Sequence, residues 1–298
     1  MTTMIMPVGT LTNINGQLTK DDDVPKPELG RSFRYGDGVF ETILIRGGEP
    51  WFLDDHIERL SDGLDILGFD FQMEVFLPKI MRELYRTISA NGVQDFGRAR
   101  IQVYRKGGGA YLPKKNAPGF IIEAASFPSD PWINDKPLQV GIYHHVPIAP
   151  SPLTRIKSAN ALPYILGAKY GESNGWDDAL MRSTDGYIIE GTKANMFVVH
   201  AATVFTPPVF GGCLPGVMRK NVLRVLKKRN VNVEERHLTH LDLAAANEIF
   251  LTSSIRGVMP VGKVEGTNYA PGEDLMAPFI KDWILDFKPP RAFHPYEN

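Results

Sequence analysis

Between Gly38 and Gly92 the polarity pattern of the chain changes period, and this constrains the fold more than any other feature. "GVFETILIRGGEPWFL" opens with a β-prone run, Val39 to Ile45, turns at Gly47 and Gly48, and continues as a short strand, which predicts a hairpin. The following "DDHIERLSDGLDILGF" instead spaces its apolar residues as Ile57, Leu60, Leu64 and Leu67. That spacing predicts a helix with Asp54 or Asp55 as its N-cap. "LPKIMRELYRTISANG" predicts a second helix ending at Asn91 and Gly92. Upstream, "TLTNINGQLT" reads as a hairpin turning at Asn15 and Gly16. Downstream, "GRARIQVYR" and "GFIIEAASF" read as strands around the loop "KGGGAYLPKKNAP". The first half is therefore β-β-α-α-β-β, an α+β pattern.

"PSDPWINDKP" (128–137) concentrates Pro, Asp and Asn and is the expected linker. It separates a small α+β domain, 1–127, from a larger domain, 138–298. The second half reads as strand "LQVGIYHHV", a helix after Lys157, strand "DDALMRS", a turn at Asp185 and Gly186, and strands "YIIE" and "ANMFVV". Helices "GVMRKNVLRVLKKRN" and "THLDLAAAN", strands "EIFLTSS" and "GVMPVGKV", and an amphipathic helix near "DLMAPFIKDWILDF" complete it.

Hydrophobic residues make up 43% of the 298 positions, enough for a substantial core. The formal net charge is −1, from 33 Lys+Arg and 34 Asp+Glu. That balance carries no basic footprint for nucleic acid. No apolar run approaches the roughly 20 residues that span a bilayer, and "MTTMIMPVGTLTNING" lacks the charged and apolar regions of a signal peptide. The expectation is a cytoplasmic protein without a membrane segment. The lone cysteine, Cys213, can form neither an intramolecular disulfide nor a cysteine-rich metal site. "GGCLPG" lacks the basic setting of a reactive thiol, so Cys213 reads as a small buried hydrophobe.

Three places attract chemistry. In "TRIKSANALPYILGAKYG", Asn160 reads as an N-cap with Pro163 in the first helical turn. Lys157 then sits just outside a helix N-terminus, whose partial positive charge favours a neutral, nucleophilic amine. Most lysines are nonetheless simply solvated. In "GYIIEGTKANMFVV", Glu190 is a strand-end carboxylate suited to a cationic nitrogen, or an exposed strand terminus. Anion-binding turns recur: "LPGVMR" puts Gly216, Val217 and Met218 at a helix start, and "FLTSSIRG" puts Ser253 and Ser254 at a strand end. Arg59 lies on the first predicted helix.

Taken together, "YGDGVFET", "DDHIERL", "IKSANALPYILGAK", "IIEGTKANMFVV", "CLPGVMRKNVL" and "EIFLTSSIRGVMPV" span residues 35–261. Their order and spacing resemble the class IV (fold-type IV) pyridoxal-phosphate enzymes, which include branched-chain and D-amino-acid aminotransferases and 4-amino-4-deoxychorismate lyases. The resemblance implies that Lys157 is the Schiff-base lysine and proton shuttle. It implies that Glu190 holds the proton on the pyridine nitrogen, so that the ring acts as an electron sink. Arg59 would bind the phosphate with its planar fork, joined by Gly216, Val217, Ser254 and Ile255. Leu214 would pack on the ring face, and Asn195 would support the Glu190 turn. The family's fold is a small α+β domain and a larger domain on a barrel-like sheet, with the cofactor in the cleft between them. Its members are usually homodimers acting on small molecules.

Four details resemble the lyases. Thr42 in "FET" matches a proton-donating threonine, Asn160 lies three after Lys157, Met218 stands where many transaminases have threonine, and "SSIRGVMPV" has Arg-Gly before the last Pro-Val. The expected activity is therefore release of pyruvate from aminodeoxychorismate to leave 4-aminobenzoate. The alternative is an aminotransferase acting on a branched-chain or other amino acid with 2-oxoglutarate. Phe40 replaces the tyrosine of the D-amino-acid enzymes, and Arg105, Lys106 and Tyr111 are the candidates for the substrate side. A remote alternative is a nucleotide-binding module without pyridoxal phosphate. "RKGGGAYLPKK" lacks the Gly-Lys-Ser/Thr of a phosphate loop, however. No metal is expected: the adjacent His144 and His145 of "YHHV" would point to opposite faces of a strand.

Overall fold

The structure is a computed structural model that describes residues 11–20, 30–133, 136–269 and 276–286. The chain divides into two compact units at Pro131 and Trp132, inside the predicted linker, of which positions 134–135 lie outside the described residues. Ile156–Asn160 belongs to the first unit, where the sequence pattern had placed it in the larger domain. The reason is backbone pairing. Phe40 N–H donates to the Lys157 carbonyl at 2.9 Å, and Ala159 N–H donates to the Gly38 carbonyl at 2.9 Å.

The first unit runs β1 (Leu11–Ile14), β2 (Gln17–Lys20), α1 (Arg31–Tyr35), β3 (Gly38–Arg46) and β4 (Glu49–Pro50). It continues with α2 (Leu53–Ile66), α3 (Met73–Ala90), β5 (Phe96–Arg105) and β6 (Pro118–Ser126). One six-stranded sheet has the order β2-β1-β6-β5-β3-β4. Both predicted hairpins form. Asn15 and Gly16 turn with φ of 54° and 101°, the double positive φ that matches strand twist. On β3 and β5 the residues Val39, Ile43, Ile45, Ala99, Ile101 and Val103 are buried, and they share one core with Ile57, Leu60 and Leu64 of α2 and with Ile80 and Leu84 of α3. Helix α2 is not capped by Asp54 or Asp55. Its N-cap is Phe52, at φ 54°, and the two aspartates lie in the first turn, where negative charge complements the unpaired N–H groups. Helix α3 starts at Met73 and carries Pro78 inside it, because Gln72 already accepts N–H bonds from Val75 and Phe76.

The second unit contains β7 (Leu138–Ile142), α4 (Leu162–Ser173), β8 (Asp178–Arg182), β9 (Ile188–Gly191), β10 (Asn195–His200) and β11 (Thr203–Thr206). After these come α5 (Val217–Lys228), β12 (Val233–Glu235), α6 (His240–Ala244), β13 (Glu248–Ser253), β14 (Gly257–Val264), β15 (Thr267–Asn268) and α7 (Met276–Asp286). Six of the strands close on themselves, in the order β9-β10-β13-β14-β7-β8 and back to β9. The closing contact is the pair Asn195 and Glu190. The two residues that the sequence singles out on this hairpin are therefore also the seam of the barrel. Helix α4 is not capped by Asn160: its N-cap is Ala161, and the Asn160 N–H turns back to Ser158 Oγ at 3.1 Å. Pro163 does lie in the first turn, where a missing N–H breaks no bond.

Candidate active site

In the first unit, alternation along β3 and β5 sorts chemistry onto two faces. The face away from the core carries Phe40 opposite Gln102, and Thr42 opposite Arg100. Ser158 bridges Val39, so Lys157 stands opposite Phe40, and its Nζ lies 4.5 Å from the Phe40 ring centroid. Arg100 approaches the same ring at 3.9 Å and donates to Gln102 Oε1 at 3.0 Å. Burial lowers the Arg100 ionisation; Glu123 opposes this and Arg98 adds to it. Phe40, Thr42, Arg98, Arg100, Gln102 and Lys157 thus share one face, with the cations of Lys157 and Arg100 at the Phe40 ring.

The core face of the same strand holds a buried carboxylate. Glu41 accepts two bonds from Arg59, Nε to Oε1 at 2.8 Å and Nη2 to Oε2 at 2.6 Å. It also pairs with His56 Nδ1 at 2.6 Å. Burial alone would raise the Glu41 pKa, but Arg59 and His56 outweigh it and hold it at about 2. Burial, joined by the positive charges of Arg59 and Lys157, pushes the His56 imidazole down more than Glu41 pulls it up. His56 is therefore the neutral donor, and Arg59 the counter-charge.

In the second unit, Glu190 is 4% exposed. Its Oε1 accepts from Tyr164 O–H at 2.8 Å. Its Oε2 accepts from Leu214 N–H at 3.0 Å and from Asn195 Nδ2 at 3.2 Å. Asn195 Nδ2 also donates to the Leu214 carbonyl at 2.8 Å, which ties the "CLPG" turn to the barrel seam. Asp178 supports the other end of this hairpin: its Oδ1 accepts from Ala179 N–H at 2.8 Å, from Thr192 N–H at 3.1 Å and from the Thr192 hydroxyl. Gly216 is the N-cap of α5. The N–H groups of Val217 and Met218 begin that helix and have no carbonyl partner within it. The Gly216 N–H bonds the Leu214 carbonyl at 2.8 Å. Ser254 and Ile255 follow β13 in the turn where Arg256 N–H donates to Ser253 Oγ at 3.2 Å.

This geometry has counterparts among known proteins. The family model for amino-transferase class IV matches residues 38–264. The chain belongs to the class IV aminotransferase family, whose cofactor is pyridoxal phosphate. It is 28% identical over 255 residues to a putative branched-chain-amino-acid aminotransferase of Methanocaldococcus jannaschii, covering 85% of this chain and 87% of that protein. It is 29% identical over 273 residues to a D-alanine aminotransferase of Bacillus licheniformis, covering 87% and 89%. Its fold matches the crystal structure of a Thermoproteus uzoniensis branched-chain aminotransferase with norvaline, at a TM-score of 0.84 and 23% identity over 93% of this chain and 94% of that one.

In the second unit taken by itself the residues fit the family's cofactor. A phosphate suits the start of the twelve-residue helix α5. A buried carboxylate that accepts from Tyr164, Leu214 and Asn195 suits a protonated ring nitrogen. Gly216 is required for the approach: a Cβ there would lie 1.8 Å from Asn195 Oδ1. Gly216→Ala is expected to displace Asn195 and the Leu214 turn, and to weaken pyridoxal-phosphate affinity about 10- to 100-fold, the usual cost of losing a supporting contact. A spectrophotometric titration of the apo-protein measures this, and unchanged affinity counts against the seam.

Arg59, the expected phosphate ligand, has Nε and Nη2 committed to Glu41. Arg105, expected on the substrate side, does not share the strand face of Lys157. It is 5% exposed, and its guanidinium bonds Asp37, Asn116 and the carbonyls of Leu67 and Gly68. It therefore ties β5 to the turn after α2. Lys106 is exposed and Tyr111 is 90% exposed, with Tyr111 against the Tyr35 ring at 5.7 Å. Thr42 does share the face of Lys157, together with Arg98, Arg100 and Gln102, which sequence reasoning missed. Cys213 is buried, and burial next to Glu190 pushes its thiol up to about 12. His144 meets Arg182 at 3.0 Å, while His145 packs on Tyr170 at 5.1 Å. Among the described residues no cluster of His, Cys, Asp and Glu is suited to a metal ion, and no helix is long and apolar enough to cross a membrane.

Proposed function

We propose that this chain is an aminotransferase that binds pyridoxal phosphate through Lys157 and moves an amino group between an amino acid and a 2-oxo acid such as 2-oxoglutarate. The observation that carries the proposal is the face of β3 and β5, where Lys157 and Arg100 both approach the Phe40 ring and Arg98 lies further along the same face. A primary amine can take and return a proton, two guanidiniums attract carboxylates, and an aromatic ring packs on an apolar side chain. When bound, the cofactor supplies an electron sink for the carbon–hydrogen bond broken next to nitrogen. Lys157 accepts that proton and returns it. Glu190 would keep the ring nitrogen protonated, with Asn195 orienting Glu190, and Leu214 would back the ring. Val217, Ser254, Ile255 and Gly216, and on the first unit Arg59, would be the residues to hold the phosphate.

The chain acts as a homodimer in this proposal, with the apolar side of α4 as part of the contact: Leu162, Ile165 and Leu166 there are 64%, 52% and 46% exposed. The substrates of the named relatives, branched-chain amino acids and D-alanine, are the first to try.

A lyase acting on 4-amino-4-deoxychorismate is the second reading. It is favoured by Thr42, which lies on the same strand face as Phe40 and directly opposite Arg100, where a hydroxyl could protonate a leaving fragment. Purified holoenzyme is given branched-chain amino acids or D-alanine with 2-oxoglutarate, and separately aminodeoxychorismate. Glutamate formation is the expected result. Pyruvate and 4-aminobenzoate without any amino transfer would replace the aminotransferase with the lyase.

A further inference from the structure

We propose that Tyr164 is a positioning residue that sets the proton affinity of Glu190, and through it the electron-withdrawing power of the cofactor ring. The proposal rests on the cofactor assignment above. Tyr164 lies in the first turns of α4, whose Leu162 and Ile165 face outward. Its ring instead packs inward among Tyr143, Ile148, Ala179, Met181, Ile189 and Cys213. A residue needed only to fill that space requires no hydroxyl. This one places its O–H 2.8 Å from Glu190 Oε1.

The two oxygens of Glu190 are differently served. Oε2 takes the Asn195 amide, which belongs to the closing seam, and the Leu214 N–H, from the turn that Asn195 ties to it. Oε1 has Tyr164, a donor delivered from another element. Burial, reinforced by Glu190, raises the Tyr164 ionisation well above its ordinary value, so the phenol remains a donor throughout the working pH range. The Cys213 thiol, which also lies near Glu190, points to the carbonyls of Pro207 and Pro208 at 3.5 Å and does not compete. Because Glu190 is shielded from solvent, water does not dilute the effect of the phenol. A hydrogen bond to a charged group corresponds to about tenfold or more in the stability of that charged form. Without Tyr164 the carboxylate becomes a stronger base. It then draws the proton from the ring nitrogen, and the ring carries less positive charge. A less positive ring holds the proton on the nitrogen that joins it to Lys157 more firmly.

The test is the pH titration of the visible absorption band of the holoenzyme. Tyr164→Phe is expected to raise the midpoint by about half a pH unit, the attenuated image of a tenfold change at Glu190. Site-specific replacement of Tyr164 by 3-fluorotyrosine, a more acidic and stronger donor of nearly the same shape, is expected to lower it. Opposite movements separate a tuned hydrogen bond from a packing defect, which shifts both variants alike. Midpoints equal to wild type in both variants, with native circular dichroism, overturn the role of Tyr164. A wild type that develops no visible band after reconstitution overturns the cofactor assignment, and the role of Tyr164 with it.

Discussion

Lys157→Ala is expected to lose the visible band of the reconstituted protein and to lower turnover by at least about 10³-fold, the combined scale of lost covalent and acid–base catalysis. No neighbour on the strand face replaces it. Arg98, Arg100 and Gln102 on β5 and Thr42 on β3 are the polar residues nearby in register. A guanidinium does not give up its proton in a protein, and an amide or hydroxyl is a poor base. Lys157→Arg is therefore expected to fail almost as badly, although it keeps the charge over Phe40. The loss is expected to be chemical, not structural. The segment is fixed to β3 by its backbone, through Phe40 N–H to the Lys157 carbonyl and Ala159 N–H to the Gly38 carbonyl, and neither bond uses the side chain. Circular dichroism and the thermal midpoint of the apo-protein should match wild type. An alanine variant that keeps activity within tenfold, or that still forms the band, would remove Lys157 from the centre of the mechanism.

Much of this architecture is legible where local chemistry decides it. The hairpin at Asn15 and Gly16, the glycine turn after β3 and the helical spacing from Ile57 to Leu64 all form as their residue types require. What escapes is set by distant partners. The Lys157 segment joins the first unit through the bridge of Val39 with Ser158 and the burial of Ile156 in its core, and no periodicity within "TRIKSAN" announces it. Asn160 has the chemistry of a cap, but its amide bonds Ser158 and the helix starts later. Strand parity, by contrast, was available and unused. In "FGRARIQVYR", Arg105 shares the phase of Ala99, Ile101 and Val103, and is buried with them, while Arg98, Arg100 and Gln102 share the opposite phase. The same count along β3 puts Glu41 in phase with Val39, Ile43 and Ile45. A carboxylate in that phase needs a cation from the helix packed against it. At the seam, the pairing of Glu190 with Asn195 follows from a tight hairpin, but the contribution of Tyr164 depends on how α4 is laid against the barrel.

The buried trio on the core face predicts a large effect on stability. Glu41→Gln keeps the shape of the side chain but removes the charge that compensates Arg59. Breaking a buried pair by removing one partner costs about 3–5 kcal/mol. The pKa of Glu41 gives a similar figure independently: a fall from 4.5 to about 2 corresponds to about 3 kcal/mol at neutral pH. The sign follows from the depressed value. The folded form binds the proton less tightly than the unfolded chain, so the contribution is complete above the unfolded pKa and disappears as pH falls from 4.5 towards 2. His56 acts in the same direction, since burial lowers its pKa below 6.5 and acid must charge a ring whose Nε2 has no partner. Denaturant titrations at pH 7 and pH 3 test this. At pH 7 the variant should be less stable by about 3 kcal/mol, and at pH 3 the difference should shrink to about half as wild type loses its advantage. Equal differences at the two pH values would mean that Glu41 contributes packing and not charge. If Glu41 also orients Arg59 for the phosphate, the variant should need more pyridoxal phosphate to saturate at pH 7 even when fully folded. That link joins the stability of this core to the chemistry on the opposite face of the same strand.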